Sequence, residues 1–585
     1  MILQALVKHY EDLVEKGLIA SSGWSKQKVS YQLEIDASGE LLQVSLLGDI
    51  EVKGTKTVHK PLLTDVPAPV KRAVNIAPNF LCDHSGYILG VDSKGKPERT
   101  ADCFKACRTL HEKILAEAES DAAKAVLAFF ANWKPEKAPE HPALSDKWEE
   151  LLAGGNLIFS YRGQRVHEDP AVRQAWQTHY QSAGDGPEMT CLVTGKRGSV
   201  EAIHPSIKGV VGAQSAGAAL VSFNAPAFCS YGKEQNLNAP TSKYAAFAYT
   251  SALNYLLADT GHISRIGDTT VLFWAEGAEP AYQGLFIGLW GGTPTPYSDD
   301  ELREKTKMLL CGEKVEFNET LLDPNRTFYL LGISPNAARL SVRFFLRNTF
   351  GGFLKNIQNH YDRMEIARTS YDLYDTVPIW RMLQETVNMN SRDKSPSPNM
   401  AGAVLQAILN DTRYPATLLN GITLRIRADH QINRERAAIL KAYYLKNTQE
   451  KLVPKEVLNV SLNRETACPP YCLGRLFAVL EKIQSDANPG LNSTIKDKYF
   501  NSASATPAVV FPILINLSEN HLKKLRRDKP GYAITLERER NEIMNLLPIS
   551  YPARMTLPEQ GAFQLGYYHQ HTALYTKKQE ETENG

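Results

Sequence analysis

Apolar residues near the start of the chain recur first at intervals of three and four and then at every second position. Over residues 2–14 the first spacing predicts a helix, which Gly17 ends. Over residues 29–35 the second spacing predicts a strand with one polar face. Ser38 and Gly39 form a typical turn, and a second alternating stretch follows it. The chain is therefore expected to begin with a helix and a β-hairpin.

The middle of the chain mixes the two periods. Residues 156–163 and 269–277 are predicted strands, and residues 242–257 form an apolar helical tract. Basic residues then alternate with apolar ones in a further predicted strand, which gives that strand one basic face. Its basic residues are Arg339, Arg343 and Arg347.

Strand patterns almost vanish beyond a polar, proline-containing stretch at residues 388–400. The later segments have helical spacing and are typical of a helical bundle. The sequence therefore predicts an α+β fold. Residues 1–390 form a mixed α/β N-terminal region with antiparallel strands, and residues 391–585 form an all-α C-terminal helical bundle.

Charge is unevenly distributed along the 585 residues. The whole chain has 66 Lys and Arg against 64 Asp and Glu, so any nucleic-acid site must be a local patch. Residues 421–531 hold 18 basic and 10 acidic residues, and such a surplus attracts a phosphate backbone. A solvated helix face is an equally good interpretation. The surplus lies at Arg425, Arg427, Arg434, Arg436 and Lys441, and at Lys523, Lys524, Arg526, Arg527 and Lys529.

Catalytic and metal-binding motifs are not found in the sequence. It contains no phosphate-binding GxxxxGK[ST] loop, GxSxG nucleophile elbow or HExxH motif. Two Cys pairs, Cys103 with Cys107 and Cys468 with Cys472, could together supply four zinc ligands, but buried small side chains are favoured because the pairs lie in different regions. We therefore expect no enzymatic activity, no metal and no cofactor.

The cysteines are too sparse for a disulfide scaffold, which favours a reducing compartment. The first residues lack a basic and apolar leader, and no stretch is long and apolar enough to cross a membrane. These features predict a cytoplasmic protein without a membrane partner.

Residues 208–243 have an unusual composition, KGVVGAQSAGAALVSFNAPAFCSYGKEQNLNAPTSK. Small residues let a backbone approach a ligand closely, and amide and hydroxyl groups can bond base edges or phosphates without charge. Such a set suits the narrow minor groove of DNA. A packed loop with polar turns explains the same composition. The candidate contacts are Lys208, Gln214, Ser215, Asn224, Asn236, Asn238 and Lys243.

Six segments, in order and over nearly the whole chain, resemble the large subunit of the type I-C CRISPR Cascade complex, the Csd family of the Dvulg subtype. They are residues 77–90 (APNFLCDHSGYILG), 191–224 (CLVTGKRG and HPSIKGVVGAQSAGAALVSFN), 230–240 (SYGKEQNLNAP), 245–257 (AAFAYTSALNYLL), 473–484 (LGRLFAVLEKIQ) and 557–570 (LPEQGAFQLGYYHQ).

This resemblance implies a non-catalytic function in RNA-guided DNA surveillance. Such a subunit recognises the protospacer-adjacent motif in duplex DNA, assists unwinding, stabilises the R-loop and recruits a helicase-nuclease. The implied partners are CRISPR RNA, target double-stranded DNA with its displaced strand, the helicase-nuclease, and the backbone, handle-processing and small subunits of Cascade. The portion from about residue 457 resembles the small subunit. An unrecognised nuclease or hydrolase, or a protein-only scaffold, are the alternatives.

The resemblance also assigns expected roles to residues. Motif recognition is expected of the candidates in residues 208–243 and of a second loop with Lys71, Arg72, Asn75 and Asn79. Nucleic-acid backbone contact is expected of Arg339, Arg343, Arg347, Arg425, Arg427, Arg434, Arg436, Lys523, Lys524, Arg526 and Arg527.

Overall fold

The computed structural model divides the chain into two compact units. The first contains Met1–Lys208 and Ser215–Tyr255, and the second contains Gly209–Gln214 and Leu256–Gly585. The predicted domain boundary near residue 390 lies inside the second unit. The described residues are 1–53, 56–70, 76–93, 96–182, 186–290, 299–369, 372, 376–392, 394–447 and 453–583.

The first unit combines helices with strands. Its helices are α1 (Ile2–Glu15), α2 (Ser85–Ile88), α3 (Pro97–Leu115), α4 (Asp121–Asn132), α5 (Trp148–Ala153), α6 (Pro170–Ser182) and the greater part of α7 (Lys243–Ala258). Its strands are β1 (Trp24–Ile35), β2 (Leu41–Leu46), β3 (Gly48–Lys53), β4 (Lys56–Pro67), β5 (Cys82–Asp83), β6 (Asn156–Tyr161), β7 (Gln164–Arg165), β8 (Glu188–Thr190) and β9 (Arg197–Ser199).

Strand β1 is the centre of the main sheet of this unit. It pairs antiparallel with β2, which confirms the predicted hairpin, and antiparallel with β4. It also pairs parallel with β6, an arrangement that requires the long helical crossover between them. Leu33 and Ile35 on β1 are buried, as the alternation predicts. Phe129 and Phe130 of α4 pack edge-to-face on Phe159 of β6.

The second unit begins with strands and ends with helices. Its strands are β10 (Ile263–Ile266), β11 (Thr269–Ala275), β12 (Val315–Phe317), β13 (Thr320–Leu322), β14 (Thr327–Asn336) and β15 (Arg339–Thr349). Its helices are α8 (Pro280–Trp290), α9 (Asp299–Leu310), α10 (Phe350–Met364), α11 (Ile379–Gln384), α12 (Pro398–Leu409), α13 (Ala416–Asp429), α14 (Arg434–Asn447), α15 (Pro469–Ala487), α16 (Ile495–Ala505), α17 (Pro507–Asp528), α18 (Pro530–Asn545) and α19 (Leu557–Glu583).

This order of elements confirms the predicted α+β fold class. The described residues beyond β15 form helices and loops but no strand. Strands β10, β11, β14 and β15 form an antiparallel sheet in that spatial order. Every residue of β11 is buried, which explains why its sequence is apolar without alternation.

A β-bulge interrupts the basic strand β15. Gly332 pairs with Phe344 and Ile333 pairs with Val342, so Arg343 is the extra residue. Because side chains alternate between faces, the bulge places Arg339 and Arg347 on opposite faces of the sheet. The strand was predicted correctly, but the prediction of one continuous basic face is wrong.

Helices α15 and α19 are in backbone contact at two glycines. A Cβ atom added to Gly474 would overlap the carbonyl oxygen of Phe563, and one added to Gly566 would overlap the carbonyl oxygen of Tyr471. Around these glycines, the Tyr471 hydroxyl lies 2.9 Å from Nδ1 of His569. The two segments that resemble the Csd family in the C-terminal half therefore pack on each other.

None of the described helices combines the length and the apolar character needed to span a membrane.

Candidate nucleic-acid interface

A long irregular segment links strand β9 to helix α7. Its only regular features are two short 3₁₀ turns, Pro226–Phe228 and Gln235–Asn238, and two isolated bridges. Loops of this length inside a compact fold are uncommon and are usually either functional or disordered, so contacts that hold such a loop in one conformation favour a function. We call residues 200–242 the polar loop. Residues 209–214 of the polar loop are assigned to the second unit.

Helix α7 holds the first part of the polar loop in place. Nδ1 of His204 lies 2.8 Å from the Tyr249 hydroxyl, and both residues are buried. The Asn254 side chain accepts a hydrogen bond from the Lys208 N–H at 2.8 Å and donates one to the Ser206 carbonyl at 3.2 Å. The sequence interpretation missed Asn254, although it is an isolated amide in the apolar helical tract.

The predicted contacts of the polar loop separate into exposed and internal side chains. Lys208, Ser215 and Asn224 are exposed in the first unit, and Gln214 is exposed in the segment assigned to the second unit. Asn236 is buried, and its backbone N–H donates to the Ala202 carbonyl. Residues 208–224 contain no Asp or Glu, so the exposed polar side chains in this stretch have no acidic neighbour in the sequence.

Asn238 stabilises the turn around residues 230–235. Its Oδ1 accepts the Ser230 N–H at 2.8 Å, while its Nδ2 donates to the carbonyls of Lys233 and Gln235 at 3.1 and 2.9 Å. The same turn presents Tyr231, which is 98% exposed at φ +55°. An exposed aromatic ring on a fixed turn can stack on a nucleic-acid base. Tyr231 was not among the predicted contacts.

The second predicted loop is only partly described. Lys71, Arg72 and Asn75 lie outside the described residues. Asn79 is half-buried, and its Oδ1 accepts the Val70 N–H at 3.0 Å, so this side chain supports the loop from inside.

The basic residues of strand β15 have separate environments. Arg343 is exposed at the bulge and lies 3.2 Å from the Asp268 carboxylate. The guanidinium of Arg347 lies 5.9 Å from the Tyr329 ring centroid, and Arg339 is half-buried. The three arginines therefore lie in different surroundings and do not form one continuous line of positive charge.

The basic residues of helices α13 and α14 are largely internal. Arg434 and Arg436 are buried, and Arg436 donates to Glu385 at 2.8 Å and to Asp429 at 2.7 Å. Arg425 also pairs with Asp429. Burial alone would raise the pKa of Asp429, but the two guanidinium groups hold it below its usual value. Arg427 is exposed and donates to Gln560 at 2.8 Å.

The C-terminal end of helix α17 presents its charges at the surface. Lys523 and Lys524 are exposed, and Lys524 donates to Asn488 at 2.9 Å. Arg526 pairs with Glu537 at 2.6 Å, and Arg527 pairs with Asp528 at 3.2 Å while remaining 77% exposed. Exposed cations of this kind can contact phosphates and displace the counterions condensed on a nucleic acid, whereas the buried cations of α14 are already held by internal carboxylates.

Comparison with known families identifies the chain. The sequence profile described as CRISPR-associated protein (Cas_Csd1) matches residues 6–575. The chain belongs to the Cas_Csd1 family. A search of curated proteins finds no match.

The polar loop, helix α15 and most of helix α19 lie inside the matched range. Across the described residues of this Cas_Csd1 chain, no group of three His, Cys, Asp or Glu side chains is placed to hold a metal ion.

Proposed function

We propose that this Cas_Csd1 chain is the non-catalytic large subunit of a type I-C Cascade surveillance complex. It recognises the protospacer-adjacent motif in duplex DNA, assists unwinding, stabilises the R-loop and recruits the helicase-nuclease. The observation that carries this proposal is the polar loop, which exposes Ser215 and Asn224 while contacts from α7 and Asn238 hold other parts of its backbone. Fixed uncharged donors and acceptors suit base edges, because they add specificity without binding every phosphate.

The division of labour in an RNA-guided complex supports this function. Guide RNA pairing selects most of the target sequence, so the protein needs to read only a short adjacent motif and the shape of the backbone. In the first unit, Ser215 and Asn224 would contact base edges and Lys208 an adjacent phosphate. The exposed end of α17 would contact phosphates elsewhere. The partners of this chain would be CRISPR RNA, target DNA and the other Cascade subunits. The complex would act in the cytoplasm.

We expect Ser215→Ala with Asn224→Ala to weaken binding of the assembled complex to a target with the intact motif by tenfold or more. A lost base contact costs about 1–3 kcal/mol. Binding to a target with an altered motif should change little, because those contacts are absent there. The measurement is an equilibrium titration of labelled duplexes carrying either motif.

The matched control is Lys523→Ala with Lys524→Ala. This variant should weaken binding to both targets equally and reduce the salt slope by up to about 0.9 for each lost phosphate contact. An equal loss on both targets from the polar-loop variant would show that Ser215 and Asn224 do not read the motif.

A further inference from the structure

A cleft of about 630 Å³ lies in the first unit, and neither Ser215 nor Asn224 of the polar loop is among its lining residues. Its lining residues come mainly from helix α1, Tyr180 of helix α6, the turn between strands β8 and β9, strand β9 itself and the first residues of helix α7. This volume lies within the range of small-ligand sites, which are usually clefts of about 300–1,000 Å³. The turn contains Thr194, Gly195 and Lys196, to which the proposed function assigns no role.

The cleft has an excess of positive charge. Lys8, Lys196, Arg197 and Lys243 line it, together with Glu11. Asp12 pairs with Lys8 at 3.0 Å and Glu188 with Arg197 at 3.8 Å, so these carboxylates offset part of the charge. Lys196 is exposed on the hairpin turn, and Arg197 is exposed at the start of β9. The positive end of the α7 dipole adds to this field. A concave surface lined by one sign of charge concentrates counterions of the opposite sign, so its ligand is an anion.

Aromatic rings in the same cleft narrow the class of anion that would fit it. The Lys243 ammonium lies 4.2 Å from the ring centroid of Tyr180. The Tyr244 hydroxyl donates to Glu11 at 3.1 Å. Stacking surfaces beside cations are the usual combination in proteins that bind single-stranded nucleic acid, because bases stack on rings while phosphates contact cations.

The hairpin turn is attached to both neighbouring helices. Cys191 Sγ accepts the Ser242 N–H at 3.2 Å and the Thr194 N–H at 3.4 Å. Gln4 of α1 donates to the Val193 carbonyl at 3.2 Å. These contacts hold the cleft in shape before a ligand binds, which reduces the ordering entropy that binding would cost.

We propose that this cleft binds a nucleotide of single-stranded nucleic acid, with its phosphate at Lys196 and Arg197 and its base beside the tyrosines. The proposal rests on the proposed function, because that function brings single-stranded RNA and DNA to this chain. The shared ligand chemistry is the nucleotide, and RNA and DNA are its two possible sources.

The test uses the full chain and a labelled single-stranded 12-mer, as RNA and as DNA of the same sequence. Lys196→Glu with Arg197→Glu should weaken binding of at least one strand by tenfold or more, because both phosphate contacts are replaced by repulsion. The matched control is Lys105→Glu with Lys124→Glu, which makes the same charge change at exposed positions on α3 and α4. The control should change binding by less than threefold.

Photo-crosslinking gives a second readout that does not depend on charge. A strand containing 5-iodouracil should crosslink to the peptide that contains Tyr180 or Tyr244. Equal binding losses in the cleft and control variants, or crosslinks only elsewhere, would overturn the proposal. Motif discrimination by the assembled complex is a separate measurement, so failure of this cleft and failure of the proposed function are distinguishable.

Discussion

Gly474→Ala is expected to lower the free energy of unfolding of the second unit by about 2 kcal/mol. The new Cβ would lie 2.8 Å from the Tyr567 backbone nitrogen and would overlap the Phe563 carbonyl oxygen. These are backbone atoms, so the clash is relieved only if α15 and α19 separate. Overpacking costs about 1–3 kcal/mol or more, and the better helix propensity of alanine recovers about 1 kcal/mol.

Gly402→Ala is the matched control for this prediction. Gly402 lies inside helix α12, and a Cβ there would meet no atom within 4 Å. This change should therefore stabilise the chain by up to about 1 kcal/mol. Urea unfolding followed by circular dichroism measures both variants.

Gly566→Ala tests whether the two glycines act through one interface. Its Cβ would overlap the Tyr471 carbonyl oxygen on the opposite helix. Once Gly474→Ala has separated the helices, the second change should cost less than it does alone. Additive losses, or a Gly474→Ala variant as stable as the parent, would contradict the close contact of α15 and α19.

Lowering the pH from 7 to 5 is expected to destabilise the chain strongly. His204, His360 and His569 are buried, and burial lowers their pKa values to about 4, about 3 and about 4. The Nδ1 atom of each lies 2.8–2.9 Å from a tyrosine hydroxyl. Their Nε2 atoms have no hydrogen-bond partner among the described residues. A second ring proton would therefore be buried without an acceptor.

The direction of the effect follows from the lowered pKa values. Below pH 6.5 the unfolded chain binds protons that the folded chain excludes, so stability falls as the pH falls. Each histidine is expected to cost about 2 kcal/mol at pH 5 relative to pH 7, at 1.36 kcal/mol for each pKa unit. Urea midpoints measured at several pH values between 7 and 5 give the slope.

The slope of the unfolding free energy against pH is proportional to the number of protons taken up on unfolding. His569→Gln should lower that number by about one, because it removes one titrating group. Tyr471→Phe is its control, since it removes the hydroxyl partner but leaves the histidine buried. Stability that does not change between pH 7 and pH 5 would show that these histidines can be protonated in the folded chain.

Much of the fold could be predicted because burial follows local periodicity in its regular elements. Helix α1 and strand β1 each bury one regular set of positions, and the change to a helical C-terminal part is visible in the spacing. No periodic pattern in the sequence indicates the bulge at Arg343. Gly332 was the available indication, since glycine inside a strand often marks a bulge, and here the Phe344 ring packs against it.

The candidate site was harder to predict because composition does not distinguish exposed from internal polar groups. Asn224 is exposed and Asn238 supports a turn, although both are asparagines of one polar segment. The surplus of basic residues counted over residues 421–531 also includes Lys441. Its ammonium donates to the Glu365 carbonyl at 2.6 Å inside the second unit. Such partners are distant in sequence, so only the fold assigns them.

We propose that this chain gives the surveillance complex its dependence on the protospacer-adjacent motif. The most direct test is target binding by the guide-loaded complex assembled with and without the chain, on duplexes with the intact or an altered motif. With the chain, binding to the intact motif should be at least tenfold tighter. Without it, both duplexes should bind weakly and equally. A complex that lacks the chain but keeps the full preference would contradict the claim.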